Sequence, residues 1–239
     1  MTDQTGEFID LFRQLEATLR EYCLTADGPR EFNGMLSSAA KHDPFIQKRF
    51  SELDLCRQLR NILSHFPSVE GRRPLVPDKA LLEVLRETID HLQNPIRARN
   101  AAIPRDRLYT VNVDSPLRQT LEKMRRYGYS HIPVMQGKHV LGVFSVGTVF
   151  IAISRGNMPR DPQAVIGDLM EDIGLDAHEN EQFAFVAADE PLTQVKELFH
   201  KPKNSRRKVA VAFVTENGNR DEALLGMLTP WDVLQALED

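Results

Sequence analysis

Only two cysteines, Cys23 and Cys56, occur in 239 residues. Two thiols cannot build a disulfide framework, and with seven scattered histidines they form no cluster at ligand spacing, so no metal site is expected. Long apolar runs are also lacking. None reaches the roughly 20 residues of a membrane span, and Met1-Thr2-Asp3-Gln4 has the wrong charge for a signal peptide. Neither sign of charge dominates: 30 Lys and Arg against 34 Asp and Glu give a formal net charge of −4. That balance exerts no global pull toward nucleic acid or an anionic membrane. What remains is 41% hydrophobic and 27% charged, ordinary for a globular protein. A reducing cytoplasm is the expected compartment, with no membrane partner, and the length allows one large or two to three small domains.

The first third reads as helices. Phe8, Ile9, Phe12, Leu15, Leu19 and Tyr22 have the spacing of one helix face, and Asp27-Gly28-Pro29 breaks it. Phe32, Met35 and Leu36 suggest a second helix. Asp43-Pro44 starts a third, Asp43 capping and Pro44 in the first position. Its series Phe45, Ile46, Phe50, Leu53, Leu55, Leu59, Ile62, Leu63, Phe66 fits one long helix or two joined near Ser51. Pro77-Asp78 opens a last helix with Leu81, Leu82, Leu85, Ile89 and Leu92 inward, stopped by Asn94-Pro95. One apolar stripe per helix implies a bundle.

Within the third helix, Asn61 and His65 are four apart and share a face, with Arg60 about a hundred degrees round. A surface arginine and a histidine at a helix end, favoured there by the dipole, is one account of them. The pattern also resembles the Arg-Asn-x-x-x-His signature of HEPN helical domains. That resemblance implies either a dimerisation module or, in catalytic members, a metal-independent ribonuclease acting across a dimer cleft. His65 would then be general acid or base, Arg60 would stabilise charge on phosphate, and Asn61 would orient the backbone or the histidine.

The basic, proline-broken stretch 97–108 reads as a linker between a helical domain, 1–96, and a repeat. The first copy spans 109–156: a strand Tyr109-Thr110-Val111-Asn112-Val113, a capped helix start Asp114-Ser115-Pro116-Leu117, a strand Ile132-Pro133-Val134-Met135, a turn Gln136-Gly137, a strand Val140 to Phe144, and a helix capped by Ser145. The second spans 157–239: a strand Phe185 to Ala188, Asp189-Glu190-Pro191-Leu192, a strand Val209 to Val214, a turn at Asn217-Gly218-Asn219, a strand Leu224 to Leu228, and a helix start Thr229-Pro230-Trp231-Asp232. Asp189 follows Asp114 by 75 residues and Gly226 follows Gly142 by 84. The second copy is thus nine residues longer, the additions falling in the basic loop before Val209 and in the turn near Asn217. Two similar units packing together are expected, making the fold class α+β, an all-α bundle followed by a pair of α/β units.

This order, ending in Gly-hydrophobic-hydrophobic-Thr-x-x-Asp, resembles a CBS domain, and the tandem resembles a Bateman module over roughly residues 105–239. The resemblance implies clefts for an adenosine-containing nucleotide (AMP, ADP or ATP), with the Asp on the ribose, the Thr on a phosphate, and the adenine against two strands. In the second cleft these are Asp232 and Thr229, with Val186, Ala187, Val209, Ala210 and Val211 by the base. In the first they are Ser145 and Thr148, with Thr110, Ile132, Pro133 and Val134. Thr148 replaces the carboxylate, and a neutral hydroxyl grips two sugar hydroxyls less firmly, so the second cleft is preferred.

The run Lys201 to Lys208 is the densest cationic stretch, readable as a solvated loop, as RNA-backbone contact, or as a phosphate clamp through Arg207 and Lys208. His131 either edges the first cleft or packs at its strand's mouth, and Trp231 is most simply a packing residue. The expected function is a nucleotide sensor passing its state to the helical domain, homodimeric through both parts, with RNA a further candidate partner. The alternatives are a nucleotide-gated ribonuclease and a ligand-free dimerisation scaffold.

Overall fold

A computed structural model describes residues 4–23, 31–65, 75–200 and 207–238. The expected break at Asp27-Gly28-Pro29, Phe66 of the third apolar series and the basic residues Lys201 to Arg206 lie outside them. The chain divides into a helical unit ending at Pro95 and an α/β unit beginning at Ile96.

The helical unit contains α1 (Gln4–Tyr22), α2 (Phe32–His42), α3 (Pro44–Lys48), α4 (Phe50–His65) and α5 (Lys79–Gln93). The third apolar series is therefore two helices, joined at Arg49 rather than Ser51. Phe8, Phe12, Leu15, Leu19, Met35, Leu36, Ile46, Leu53, Cys56 and Leu85 form its dry core. Leu55 and Ile62, part of the same series, instead face outward, because the buried stripe of α4 runs through Leu53, Cys56 and Leu63. Buried Asp43 accepts from the Phe45 and Ile46 N–H groups at 3.0 and 3.3 Å and lies 2.8 Å from His91 Nε2. Burial pushes its carboxyl up, but these partners, His91 foremost, outweigh burial and hold it below the usual range. Asp78 caps α5 through the Ala80 N–H.

The α/β unit contains α6 (Ala98–Ala101), β1 (Ile103–Pro104), α7 (Leu117–Tyr127), β2 (His131–Gln136), β3 (His139–Ser145), α8 (Val146–Ser154), a 3-10 turn (Ile166–Leu169), α9 (Met170–Ile173), β4 (Glu181–Ala187), α10 (Leu192–His200), β5 (Lys208–Thr215), β6 (Gly226–Leu228) and α11 (Pro230–Glu238). One sheet has the order β1-β6-β5-β4, with β4 parallel to β5 and the other pairs antiparallel; β2 and β3 form a second, antiparallel ladder. Gly128 ends α7 with a φ of 72°, as a left-handed terminus favours.

Stretch 97–108 is not a plain connector, since it holds α6 and β1. Ile96 to Arg99 bonds to the second copy: Leu192 N–H to Ile96 O, Ala98 N–H to Glu190 O, and Arg99 N–H to Ala188 O. Residues 164–167 repeat these bonds on the first copy, as Leu117 N–H to Ala164 O, Ile166 N–H to Ser115 O, and Gly167 N–H to Val113 O. Each copy is thus edged by the segment that leads into the other. This changes the expected cap at Asp114-Ser115. The N-cap of α7 is Pro116, with no side-chain hydrogen bond; the free N–H of Leu117 is satisfied by the exchanged backbone instead. Residues 109–113 also fall short of a strand. Val111 alone bridges Val134, because Asn112 and Ser115 draw neighbouring N–H groups into a local turn.

Candidate functional site

The two ladders fix how the copies correspond. Ile132 pairs with Phe144, and Ala212 with Leu228. Val111 pairs with Val134, and Val186 with Val214. The offsets are 75 at Val111 to Val186, 80 at Ile132 to Ala212 and 84 at Phe144 to Leu228. Five of the additional residues therefore precede β5 and four lie in the following hairpin, the two places expected. The counterpart of Ile132-Pro133-Val134 is Ala212-Phe213-Val214, three residues beyond Val209-Ala210-Val211. Val186 and Ala187 pair with Val214 and Thr215, about 10 Å along the strand from Val211 at roughly 3.3 Å per residue. Val211 itself lies one residue on from the Ala212–Leu228 pair, at the Thr229 end.

Gly142 and Gly226 stand at matching places for a steric reason. A Cβ on Gly142 would fall on the Ile173 carbonyl, and one on Gly226 would meet Ile103 O and Ala102 Cβ, both at 2.9 Å. Each strand is crossed there by exchanged backbone. Three residues further on come the two helix starts.

At the second, Asp232 Oδ2 accepts from the Thr229 N–H and from Thr229 Oγ, both at 2.7 Å. The turn caps itself, leaving Oδ1 without a hydrogen bond among the described residues. Thr229 and Asp232 are partly exposed, and Trp231, expected to pack, is 79% exposed. Arg207 and Lys208 stand at the start of β5, toward the Thr229 end and at least three residues before Val211. Arg207 reaches the Asp176 carbonyl at 3.4 Å, and Lys208 pairs with Glu181 in the ladder.

At the first, Ser145 and Thr148 form the same box: Ser145 N–H to Thr148 Oγ and Thr148 N–H to Ser145 Oγ, both 3.1 Å. Both residues are fully buried. Here a third party enters that no sequence motif singles out. Glu181, at the start of β4, accepts from Ser145 Oγ at 3.0 Å and lies 3.3 Å from His131 Nε2 and 3.4 Å from His178 Nδ1. These partners, His131 first and then His178, hold its carboxyl far below the usual range against the opposing effect of burial. His131 thus lies beside the Ser145 turn, bound to this carboxylate. The only available signal was the spacing His178-x-x-Glu181, which has no distinctive chemistry on its own. No group of three or more His, Cys, Asp or Glu among the described residues is placed to hold a metal ion.

Two copies of strand, helix, hairpin and capped helix also match the CBS domain model, over residues 101–155 and 171–239. The chain belongs to the CBS-domain family. Similar solved structures include the CBS domain of a putative transporter from Clostridium difficile 630 (14% identity, 59% of this chain and 93% of that one, TM-score 0.43). CBSX2 in complex with AMP is another (19%, 59% and 94%, 0.41), as is CbpB in complex with c-di-AMP (14%, 65% and 92%, 0.47). No curated protein matches the chain. In the helical unit, Arg60 donates to Asn61 Oδ1 and to Glu16 Oε2, both at 3.2 Å, and lies 5.0 Å over the Phe12 ring. His65 is exposed at the end of α4. Asn61 therefore turns to Arg60, and among the described residues no hydrogen bond joins His65 to either. No helix among the described residues is long and apolar enough to cross a membrane.

Proposed function

We propose that the CBS pair is a regulatory module that binds an adenosine-containing nucleotide in its second cleft and passes that state to the helical unit. The observation that carries this reading is the Asp232 carboxylate, with one oxygen fixed by Thr229 and the other unclaimed at a partly exposed helix start. A carboxylate so placed accepts from a pair of ribose hydroxyls, since charged acceptors make the stronger bonds. The first N–H groups of α11 and the Thr229 hydroxyl, once turned from Asp232, suit a phosphate. The base then lies against β5 near Val211 and Ala212. Coupling needs only that the nucleotide prefer one of two arrangements of the protein.

Dimerisation belongs to the same reading, with a second copy as the partner. In the CBS pair the supporting feature is the outward stripe Val146, Phe150 and Ile153 on α8, and in the helical unit it is Leu55 and Ile62 on α4. The HEPN-like reading, with RNA cleavage by Arg60, Asn61 and His65, is supported by the exposed His65 on the Asn61 face; the tie from Arg60 to Glu16 favours a structural part for that arginine.

The test is titration with AMP, ADP, ATP and S-adenosylmethionine, following melting temperature and the fluorescence of Trp231, the single tryptophan. One of them should raise the melting temperature and change the emission, and Asp232→Ala should weaken it about 10- to 100-fold, the value of a lost charged hydrogen bond. No response to any of the four would leave the ligand-free scaffold. Labelled RNA left intact by a protein that does bind nucleotide would remove the nuclease reading.

A further inference from the structure

The first cleft is filled from within. The side chain of Glu181 lies against the first turn of α8: a Cβ on Gly147 would be 3.4 Å from both of its carboxylate oxygens. Ser145, the N-cap of that helix, donates to it, and His131 and His178 approach from two further directions. A negative group at a helix N-terminus is favoured by the dipole and by the free N–H groups there. His178 is 2% exposed and its Nε2 has no partner among the described residues, so a buried ring stands beside the carboxylate with one nitrogen unused.

The corresponding turn of the second half is arranged otherwise. The counterpart of Gly147 is Trp231, that of Thr148 is Asp232, and that of His131 is Val211. The second half thus carries its carboxylate in its own helix, whereas the first borrows one from the strand that opens the other half. A nucleotide phosphate entering the first cleft would meet a fixed negative charge on the donors it needs. We infer that Glu181 is a resident anion that bars nucleotide from the first cleft, and that the donors beneath it form a latent phosphate site. The expected stoichiometry, one nucleotide per chain, rests on the reading of Thr229 and Asp232 given above; the latent site does not.

The experiment is calorimetric titration of the full chain with inorganic phosphate and, separately, with AMP. Glu181→Ala should bind phosphate at least about tenfold more tightly than wild type, the gain of one charged hydrogen bond. That gain should persist with Asp232→Ala added and be lost with His131→Ala added. AMP should bind once to wild type and twice to Glu181→Ala. Should Glu181→Ala fail to fold, Glu181→Gln keeps the shape without the charge and should show the same gain. A folded variant with no gain in phosphate affinity overturns the inference, as does AMP binding twice to wild type. If wild type takes no AMP, the reading of Asp232 falls while the phosphate gain still decides the role of Glu181.

Discussion

The two CBS halves share a backbone and differ in where their anion comes from. In the second, Asp232 is three residues from Thr229, and both sit in one self-capped turn. In the first, Thr148 completes the cap without charge, and the carboxylate arrives from Glu181, 36 residues beyond Ser145. One half keeps a partly exposed acceptor, while the other uses a hydrogen-bonded cluster to join β4 to α8. On the proposed reading, duplication of such a turn need not duplicate binding, because a neutral residue at one position and a glycine beside it admit an internal substitute.

The largest effect expected from breaking this comparison lies in the shared frame. Gly142→Ala would drive a methyl group onto the Ile173 carbonyl and should cost about 3 kcal/mol. Gly226→Ala, with more room, should cost less, and urea unfolding would measure both. Equal losses would mean that the crossings are alike.

Next come the anions. Glu181→Ala leaves three donors without their acceptor and should cost about 2 kcal/mol. Asp232→Ala removes a cap and should cost about 1 kcal/mol; the reverse order in denaturation midpoints would refute the account of the first cleft.

The pH dependence follows the same division. Hydrogen bonds from His131 and then His178 depress the folded carboxyl of Glu181. Its contribution is therefore complete above the ordinary glutamate value of 4.5 and is lost as pH falls below it toward the lower folded value. Melting temperatures recorded downward from neutral pH should fall more steeply for wild type than for Glu181→Gln; parallel curves would speak against it.

The smallest effect is expected at Arg207 and Lys208, which lie at the Glu181 end of β5. Changing either to Ala should weaken nucleotide binding at most about fivefold, and less at high salt, as for exposed charges. A larger, salt-insensitive loss would make them a phosphate clamp beside Asp232.

Much of the fold was legible because it is written in local chemistry. Asp43-Pro44 and Asp78 announce helix starts, Gly128 a helix end, and the 75- and 84-residue offsets the repeat. The base-side strand of the second cleft was less so. Val209-Ala210-Val211 matches the pattern of Ile132-Pro133-Val134 well, but register is fixed by pairing with β6, and a three-residue slip leaves the composition nearly unchanged. Glu181 was invisible for a related reason: its partners lie 50, 36 and three residues away, and no motif links them. Exchange of the leading segments has no side-chain signature at all, being made of backbone hydrogen bonds.

That exchange leaves neither copy complete by itself. A solitary unit of this design would have the edge at residues 113–117, or at 188–192, bare, and would carry a leading segment with nowhere of its own to dock. Such a unit closes only against a twin that lends the missing piece and accepts the spare one. The tandem thus has the geometry of a swapped dimer contained in one chain, and a cut between the halves would yield two fragments that still need each other.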